Sequence, residues 1–251
     1  MSEPLLTYDL SLLDQSLAKW RSSPALRAVY GDIYQEMGRA LAPGRILEIG
    51  SGIGVARDYF PGLVTSDVVA TPFVDRAVSA YEIPDEGWGN IIAMDVLHHL
   101  PEPMRFFASA ARALGPGGRI VLAEPAGTAW GCNFYRWFHH EPCLPHEVKP
   151  PFQFTPAAGG EFANMGMAQA LFSRGAPSLV AAELAKSGLS VVRVRYRDLF
   201  AYPATGGFSH SSLLPAGGLR ALLAVERPLP QALLRFLALR MIVVIEKKNP
   251  A

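Results

Sequence analysis

Cysteine is nearly absent from this sequence, and no apolar leader follows Met1. The chain has two thiols, Cys132 and Cys143, in 251 residues. That number is too small for a secreted domain that is stabilised by several disulfides, and the start of the chain lacks the pattern of a signal peptide. Both features predict a cytoplasmic protein with reduced thiols.

An excess of charge of one sign is also missing. Lys and Arg number 23, Asp and Glu number 22, and the formal net charge is +1. Proteins that hold nucleic acid by releasing its counterions need a strong positive field, which this composition does not provide. The composition therefore predicts that nucleic acid is not a partner.

The sequence contains no uninterrupted apolar run of the length that spans a bilayer, which is about 20 residues. Its most apolar stretch, from Leu219 to Ile245, is broken by charges and prolines. The pattern predicts buried helix plus strand. Because the interruptions are largely arginines, peripheral membrane contact through this C-terminal region stays open as an alternative.

What is present is the composition of a packed globule, with 50% apolar, 10% aromatic and 18% charged residues. The length suits one domain. Apolar spacing predicts two helices within residues 8–40, broken near Ser22-Ser23-Pro24. Short apolar runs predict strands at 45–49, 63–67, 90–95, 119–124, 189–196 and 240–246, with helices at 53–60 and 101–114 and a turn at 115–118. Strands that alternate with helices predict an α/β fold with a doubly wound, mostly parallel sheet and helices on both faces.

A glycine turn follows the first predicted strand. Gly50, Gly52 and Gly54 have the spacing G-x-G-x-G, and Val55 occupies the position of the third glycine in dinucleotide-binding turns. Asp67 ends the next strand seventeen residues after Gly50, where a carboxylate can accept hydrogen bonds from ribose hydroxyls. The combination favours a nucleoside-bearing ligand without a phosphate nest.

These segments together resemble one known family. They are Glu48 to Gly54, Asp67, Asp95 to Leu100 and Leu114 to Ile120. They are similar to the conserved motifs of class I S-adenosylmethionine-dependent methyltransferases, and among these to the type 11 methyltransferase domains. The resemblance covers residues 45–125 and implies a Rossmann-like fold with S-adenosyl-L-methionine as the cofactor.

The resemblance also implies roles for single residues. Gly50, Ser51 and Gly52 would lie against the methionyl part of the cofactor, Glu48 would organise the loop, and Asp67 would hold the ribose. The further positions that it implies for cofactor binding are Val68, Ser79, Ala80 and Met94. Two positions depart from the family pattern, because Ser79 and Asn90 stand where the family usually has aspartate.

Methyl transfer is an in-line displacement, so the protein has to align the acceptor, exclude water and sometimes accept a proton. Two pairs of histidines are predicted to face the ligand. His98 and His99 lie at the exit of the fourth strand, and His139 and His140 lie beside Glu141 in the predicted lid. We predict His98, His139 and His140 as catalytic candidates. His139 to Glu147 also contains Cys143 and His146, but only Cys143-x-x-His146 approaches zinc-ligand spacing, so no metal is predicted.

The sequence thus predicts one bacterial methyltransferase domain that acts on a small-molecule or glycan-related acceptor. The glycan link comes from a fainter resemblance of residues 135–142 and 206–215 to a bacterial subgroup associated with polysaccharide biosynthesis. The predicted parts are N-terminal helices over 1–40, a cofactor-binding core over 41–125, a lid over 126–177 and sheet completion over 178–251. Two alternatives stay open: a non-catalytic S-adenosylmethionine-binding protein and a nicotinamide-dependent oxidoreductase.

Overall fold

The computed structural model describes residues 3–155, 162–173 and 178–248. The strands are β1 Ile46–Ile49, β2 Val64–Asp67, β3 Arg76–Ala77, β4 Trp88–Met94, β5 Leu114–Pro125, β6 Leu189–Arg197 and β7 Arg240–Lys247. The α-helices are α1 Glu3–Ser22, α2 Pro24–Gly38, α3 Pro103–Ala113, α4 Ala129–Phe138, α5 Met167–Phe172, α6 Ser178–Lys186, α7 Ala201–Ala204, α8 Ala216–Glu226 and α9 Gln231–Leu237. Short 3₁₀ helices occupy Val55–Asp58, Leu97–His99 and Pro145–Glu147.

The strands form one sheet in the order β3-β2-β1-β4-β5-β7-β6. Strands β1 to β5 pair in parallel, and β7 runs antiparallel to both β5 and β6. The predicted Rossmann-like, mostly parallel sheet is confirmed. The strand order reverses between β1 and β4, and in this class of fold ligands bind outside the carboxyl ends of the strands at that point.

Helices cover both faces of the sheet, because neighbouring residues of a strand point to opposite sides. Ile92 of β4 packs with Leu26 and Ile33 of α2 on one face. Ile91 packs with Phe106 of α3 and with α5 and α6 on the other face. Each of these side chains is at most 1% exposed. The two-layer burial explains why the central strands are apolar on both sides.

The predicted break between the two N-terminal helices is confirmed. The Ser23 hydroxyl accepts a hydrogen bond from the Leu26 amide at 3.2 Å and caps α2, whose first residue is Pro24. Proline suits this position because the amide hydrogen that it lacks would have no partner within the helix. The polar cap and the proline together end α1 and start α2.

The α-helix predicted over residues 53–60 is wrong. Only the 3₁₀ helix Val55–Asp58 forms there, preceded by Gly54 at φ +66° and followed by the Pro61-Gly62 turn. Too few residues remain between these two turns to offset the cost of starting an α-helix. Strand β2 therefore follows β1 after a compact turn, and Tyr34 of α2 stacks on Tyr59 beside it.

Residues 68–87 form turns and the two-residue strand β3, and no helix is present among them. The predicted turn at 115–118 is a bulge within β5, because Leu114 pairs with Trp88 and Arg119 with Asn90.

The segment predicted as a lid, residues 126–177, is partly a core layer. Met167, Leu171 and Phe172 of α5 are fully buried against the sheet, so the lid prediction is wrong for this helix. Residues 156–161 and 174–177 of the segment lie outside the described residues. Near the C-terminus, the predicted helix-plus-strand pattern is confirmed by α8, α9 and β7. Among the described residues, no helix has the length and hydropathy needed to cross a bilayer.

Candidate active site

The glycine turn after β1 has three left-handed glycines, with φ of +67° at Gly50, +52° at Gly52 and +66° at Gly54. A Cβ atom at Gly50 would lie 2.5 Å from Cγ2 of Val96, so a larger residue does not fit there. At Gly52 the nearest neighbour of such an atom among the described residues is Leu13 Cδ2, at 3.8 Å. A ligand can approach the backbone at Gly52 closely because glycine has no side chain there.

Asp67 lies beside this turn, as its position at the end of the neighbouring strand predicts. Its Oδ2 atom accepts a hydrogen bond from the Gly52 amide at 3.0 Å, and its Oδ1 atom accepts one from the Val68 amide at 2.8 Å. Each carboxylate oxygen has a second lone pair, so the group can still accept bonds from a ligand. Ser51 joins the same two strands, because its hydroxyl accepts from the Ser66 amide at 3.0 Å.

A cavity of ≈ 1070 Å³ opens at the carboxyl ends of β1 and β4. This volume is at the upper end of the usual range for small-molecule sites. The predicted site residues that line it are Glu48, Gly50, Ser51, Gly52, Met94, His98, His139 and His140. Both ends of the predicted site therefore belong to one cavity, with the glycine turn at one end and the histidines at the other.

Four predicted cofactor residues are not among those that line this cavity: Asp67, Val68, Ser79 and Ala80. Val68 is largely exposed, the Ser79 hydroxyl accepts from the Tyr81 amide at 3.2 Å, and Ala80 packs in the main core. Their role in cofactor binding stays a prediction.

Glu48 is a buried carboxyl group at the glycine end of the cavity. Burial raises its pKa to about 7, although hydrogen bonding with Ser51 opposes the change. Its Oε2 atom has no hydrogen-bond partner among the described residues. A buried oxygen without a partner is costly unless a ligand supplies the missing donor.

The four histidines surround Glu141 at the other end. Glu141 Oε2 lies 3.4 Å from His98 Nε2, and Oε1 lies 3.9 Å from His99 Nε2. The carboxylate also lies 4.0 Å from His139 Nδ1 and 3.6 Å from His140 Nε2. The fold thus joins two sequence segments that were separate candidates.

Glu124 is a member of this cluster that sequence reasoning missed. It is fully buried at the end of β5, and its Oε2 atom lies 2.8 Å from His98 Nδ1. Its Oε1 atom accepts hydrogen bonds from the amides of Val96 and Leu97 at 2.9 and 2.8 Å. A carboxylate at the end of an otherwise apolar parallel strand was the available signal, because such strand ends meet at the ligand crevice.

The electrostatics of the cluster follow from this pairing. Burial alone would lower the pKa of His98, but hydrogen bonding with Glu124 and Glu141 outweighs it and raises this pKa to about 10. Burial alone would raise the pKa of Glu141, but His98 and the other histidines hold it at about 2. Burial and the charge of His98 lower the pKa of His99. At neutral pH His98 is therefore protonated, and His99 is the neutral neighbour.

Arg240 is a second residue that sequence reasoning missed, and it lines the cavity from the start of β7. It is 1% exposed and donates from Nη2 to Asp95 Oδ1 at 2.7 Å. Its guanidinium lies 4.8 Å from the centre of the Tyr202 ring. A charged residue opening an apolar strand was the only sign of it in the sequence.

Comparison with known proteins agrees with this geometry. A family model described as a methyltransferase domain matches residues 24–153, which is more than half of the chain. The chain belongs to the methyltransferase domain family. No curated protein sequence matches it.

The solved structures that resemble this methyltransferase are distant in sequence. One is a SAM-dependent methyltransferase from Archaeoglobus fulgidus, with a TM-score of 0.50, 15% identity, and coverage of 91% of this chain and 96% of that chain. Another is an S-adenosylmethionine-dependent methyltransferase from Mesorhizobium loti, with a TM-score of 0.46, 14% identity, and coverage of 86% and 96%. At this level of identity and at a TM-score of 0.50, the first similarity shows the fold and nothing further.

The predictions of a methyltransferase enzyme and of its fold are confirmed. The predicted cofactor, S-adenosylmethionine, is the donor named for the Archaeoglobus fulgidus protein. The narrower type 11 assignment, the cytoplasmic location and the bacterial origin stay predictions.

The two thiols of the methyltransferase lie together, with Cys132 Sγ 2.8 Å from Cys143 Sγ.

Proposed function

We propose that the protein transfers a methyl group from S-adenosylmethionine to a small-molecule or glycan-related acceptor. The observation that supports this most strongly is the single cavity that joins the glycine turn to the histidine cluster. In-line displacement needs the methyl donor and the acceptor in one enclosed space with their reacting atoms aligned. A cavity of ≈ 1070 Å³ has room for both.

The residues at the glycine end fit the proposed cofactor. Gly52 has no side chain to keep a ligand from the backbone, and Glu48 presents a buried oxygen that lacks a donor among the described residues. The amino acid end of S-adenosylmethionine carries an ammonium group, which can supply that donor. Asp67 and Val68 would hold the ribose side, and Ser79 and Ala80 the adenine side, as the family resemblance implies. When bound, the cofactor supplies a methyl group on a positively charged sulfur, which is already an activated leaving group.

The chain's own residues would position the acceptor and keep water out. The far wall of the cavity is largely aromatic and includes Tyr30, Phe134 and Phe138. Aromatic walls bind apolar or ring-shaped groups and lower the local dielectric constant. Of the three predicted catalytic residues, His98 is held between two carboxylates and carries a proton at neutral pH. His139 and His140 are more exposed and stand at the mouth of the cavity.

Calorimetric titration tests the cofactor site. S-adenosylhomocysteine should bind to the wild-type protein and NAD should not. Replacing Asp67 with Ala should weaken S-adenosylhomocysteine binding by about 1 to 3 kcal/mol, because ribose hydroxyls would lose their acceptor. The exposed Asp58 on the neighbouring turn offers a matched control, and Asp58→Ala should leave the affinity unchanged.

Heat from NAD alone would support the oxidoreductase alternative and refute the proposal. An unchanged affinity in Asp67→Ala would remove Asp67 from the site. Conversion of labelled S-adenosylmethionine in the presence of a pool of hydroxylated small molecules and saccharides separates an enzyme from a non-catalytic binding protein. Methyl transfer to lipid-linked acceptors through membrane contact of the C-terminal region stays a prediction.

A further inference from the structure

His98, His99 and Glu141 come from two segments that the fold brings together. His98 and His99 belong to the 3₁₀ helix after β4, and Glu141 follows α4. One nitrogen of each histidine and one oxygen of Glu141 all lie within 4.8 Å of one another. Ligand atoms in a tetrahedral zinc site stand ~3.4 Å apart when the bonds are about 2.0–2.1 Å long. The distances of 3.4 Å from Glu141 Oε2 to His98 Nε2 and of 3.9 Å from Glu141 Oε1 to His99 Nε2 are close to that spacing.

The outer hydrogen bonds of the two histidines leave their Nε2 atoms directed at Glu141. His99 Nδ1 lies 3.4 Å from the Phe162 carbonyl oxygen, which can only accept, so Nδ1 carries the hydrogen. His98 Nδ1 lies 2.8 Å from Glu124, whose other oxygen is held by two backbone amides. Histidines that bind metals characteristically donate their second nitrogen to a carboxylate or a backbone carbonyl. Both histidines have this arrangement.

Glu141 has a buried oxygen that is held only by ion pairs with histidine rings, at 3.4 Å from His98 and 4.0 Å from His139. Its Oε2 atom has no hydrogen-bond partner in the part of the chain that the structure describes, although it points into the cluster. The surrounding charges favour a cation there. Glu124 and Glu141 face His98 from opposite sides, and Asp95 nearby is paired with Arg240.

We propose that His98, His99 and Glu141 form a binding site for a divalent transition-metal ion, which would take the place of the proton on His98 Nε2. Two imidazoles and one carboxylate are a ligand set that suits zinc, iron, cobalt or nickel. All three residues line the cavity, so the fourth coordination position faces the space where a ligand would lie. That position would take an oxygen atom of an acceptor, such as a hydroxyl group. This last consequence rests on the proposed function, whereas binding of the metal does not.

His139 and His140 are neighbours of the site and not ligands. His139 Nδ1 already accepts a hydrogen bond from the Glu141 amide at 3.3 Å, and the His140 side chain is 86% exposed. The absence of a metal was predicted from ligand spacing along one segment. That rule does not detect ligands contributed by the end of a distant strand.

Zinc binding to the full-length protein tests the site without cofactor or acceptor. Protein stripped with a chelator and dialysed against Zn²⁺ should retain one equivalent, and competition with a chromogenic chelator gives its affinity. His99→Ala and Glu141→Gln should each weaken Zn²⁺ binding by at least about 100-fold. Glu124→Gln should weaken it by about 10- to 100-fold, the usual cost of losing an outer hydrogen bond. His146→Ala removes an exposed histidine on the same segment as Glu141 and should not change the affinity.

Replacing the buried His98 would disturb folding as well, so the test relies on the half-exposed His99. Circular dichroism confirms that each variant is folded. Failure of the wild-type protein to retain stoichiometric Zn²⁺ overturns the proposal. So does full retention in His99→Ala, or a loss that follows His140→Ala instead. Because no S-adenosylmethionine is present, these outcomes are independent of the cofactor titration.

Discussion

Two groups of buried charges differ in how closely they are paired. Arg197 of β6 donates five hydrogen bonds: two to Asp198, one to Glu36, and two to Asp32, of which one goes to its backbone oxygen. These bonds use all five N–H groups of a guanidinium. In the group around His98, the four histidine rings lie 3.4 to 4.0 Å from the Glu141 carboxylate.

The positions of the two groups explain this difference. Arg197 is enclosed between α2 and β6, where two further arginines, Arg195 and Arg227, pair with Glu36 and Asp32. The His98 group lines the large cavity at the carboxyl ends of the strands. Close pairing away from a cavity stabilises a fold, while loosely paired titratable groups beside a cavity are characteristic of binding sites. The comparison predicts that changes in the first group affect stability and changes in the second affect ligands and protons.

The largest effect is expected for Arg197→Met. The substitution keeps an apolar stem but leaves three carboxylates without their shared cation, so the free energy of unfolding should fall by about 3–5 kcal/mol. Urea denaturation measures this change. Arg193 is an exposed arginine on the same strand, and Arg193→Met should stay within about 0.5 kcal/mol of wild type. Equal losses in the two variants would contradict a structural role for the pairing.

A smaller effect of opposite sign is expected for Glu48→Gln. The pKa of Glu48 is about 7 in the folded protein and 4.5 in its ordinary state. The folded state therefore binds the proton more tightly, and this stabilisation is complete below pH 4.5 and is lost as the pH rises through 7. At pH 8 the neutral glutamine should raise the free energy of unfolding by up to about 3 kcal/mol.

The gain from Glu48→Gln should vanish near pH 4, where both the folded and the unfolded wild-type chain carry the proton. Urea denaturation at the two pH values distinguishes this from a general effect of the amide. The largely exposed Glu82 provides the control, since Glu82→Gln should not change stability at either pH. A gain that is the same at pH 4 and pH 8 would show that burial of the charge is not its cause.

The smallest effect concerns the proton on His98. Glu124→Gln removes one of the two carboxylates that raise the pKa of His98 to about 10, and this pKa should fall by at least about 1 unit, or roughly 1.4 kcal/mol. In the wild-type protein, His98 adds stability that is complete below pH 6.5 and is lost as the pH rises through 10. In the variant this loss should occur at lower pH.

NMR titration of the His98 ring measures that pKa directly. The exposed Glu147 serves as the control, because Glu147→Gln leaves the cluster intact. An unchanged His98 pKa in Glu124→Gln would mean that Glu141 alone holds the proton.

Much of the sheet could be predicted from the sequence because its signals are local. The apolar runs marked β1, β2, β4, β6 and β7 within one or two residues, and Ser23-Pro24 marked the break between two helices. The segment after Gly54 was predicted incorrectly, because its composition allows a helix but the turns on either side leave too little length. The burial of α5 could not be predicted, since its apolar residues look the same whether they cover a ligand or the sheet.

The candidate site also has one part that could be predicted from the sequence and one part that could not. The glycine turn and Asp67 lie together because parallel strands that are neighbours in the chain end at the same edge, and their residue types and spacing were enough to predict the cofactor end. His98 contacts Glu124, which is 26 positions away in the sequence, and Glu141, which is 43 positions away. The order of the strands in the sheet brings Glu124 to His98, and the path of the chain after α4 brings Glu141 there.

By itself, the sequence determined the alternation of strands and helices, the glycine turn and the family, because each depends on residues close together in the chain. Only the tertiary structure decided which charges would be paired and which would face the cavity. The pairing of a buried charge depends on the side chains that distant segments bring within a few ångströms, and no local pattern specifies that distance.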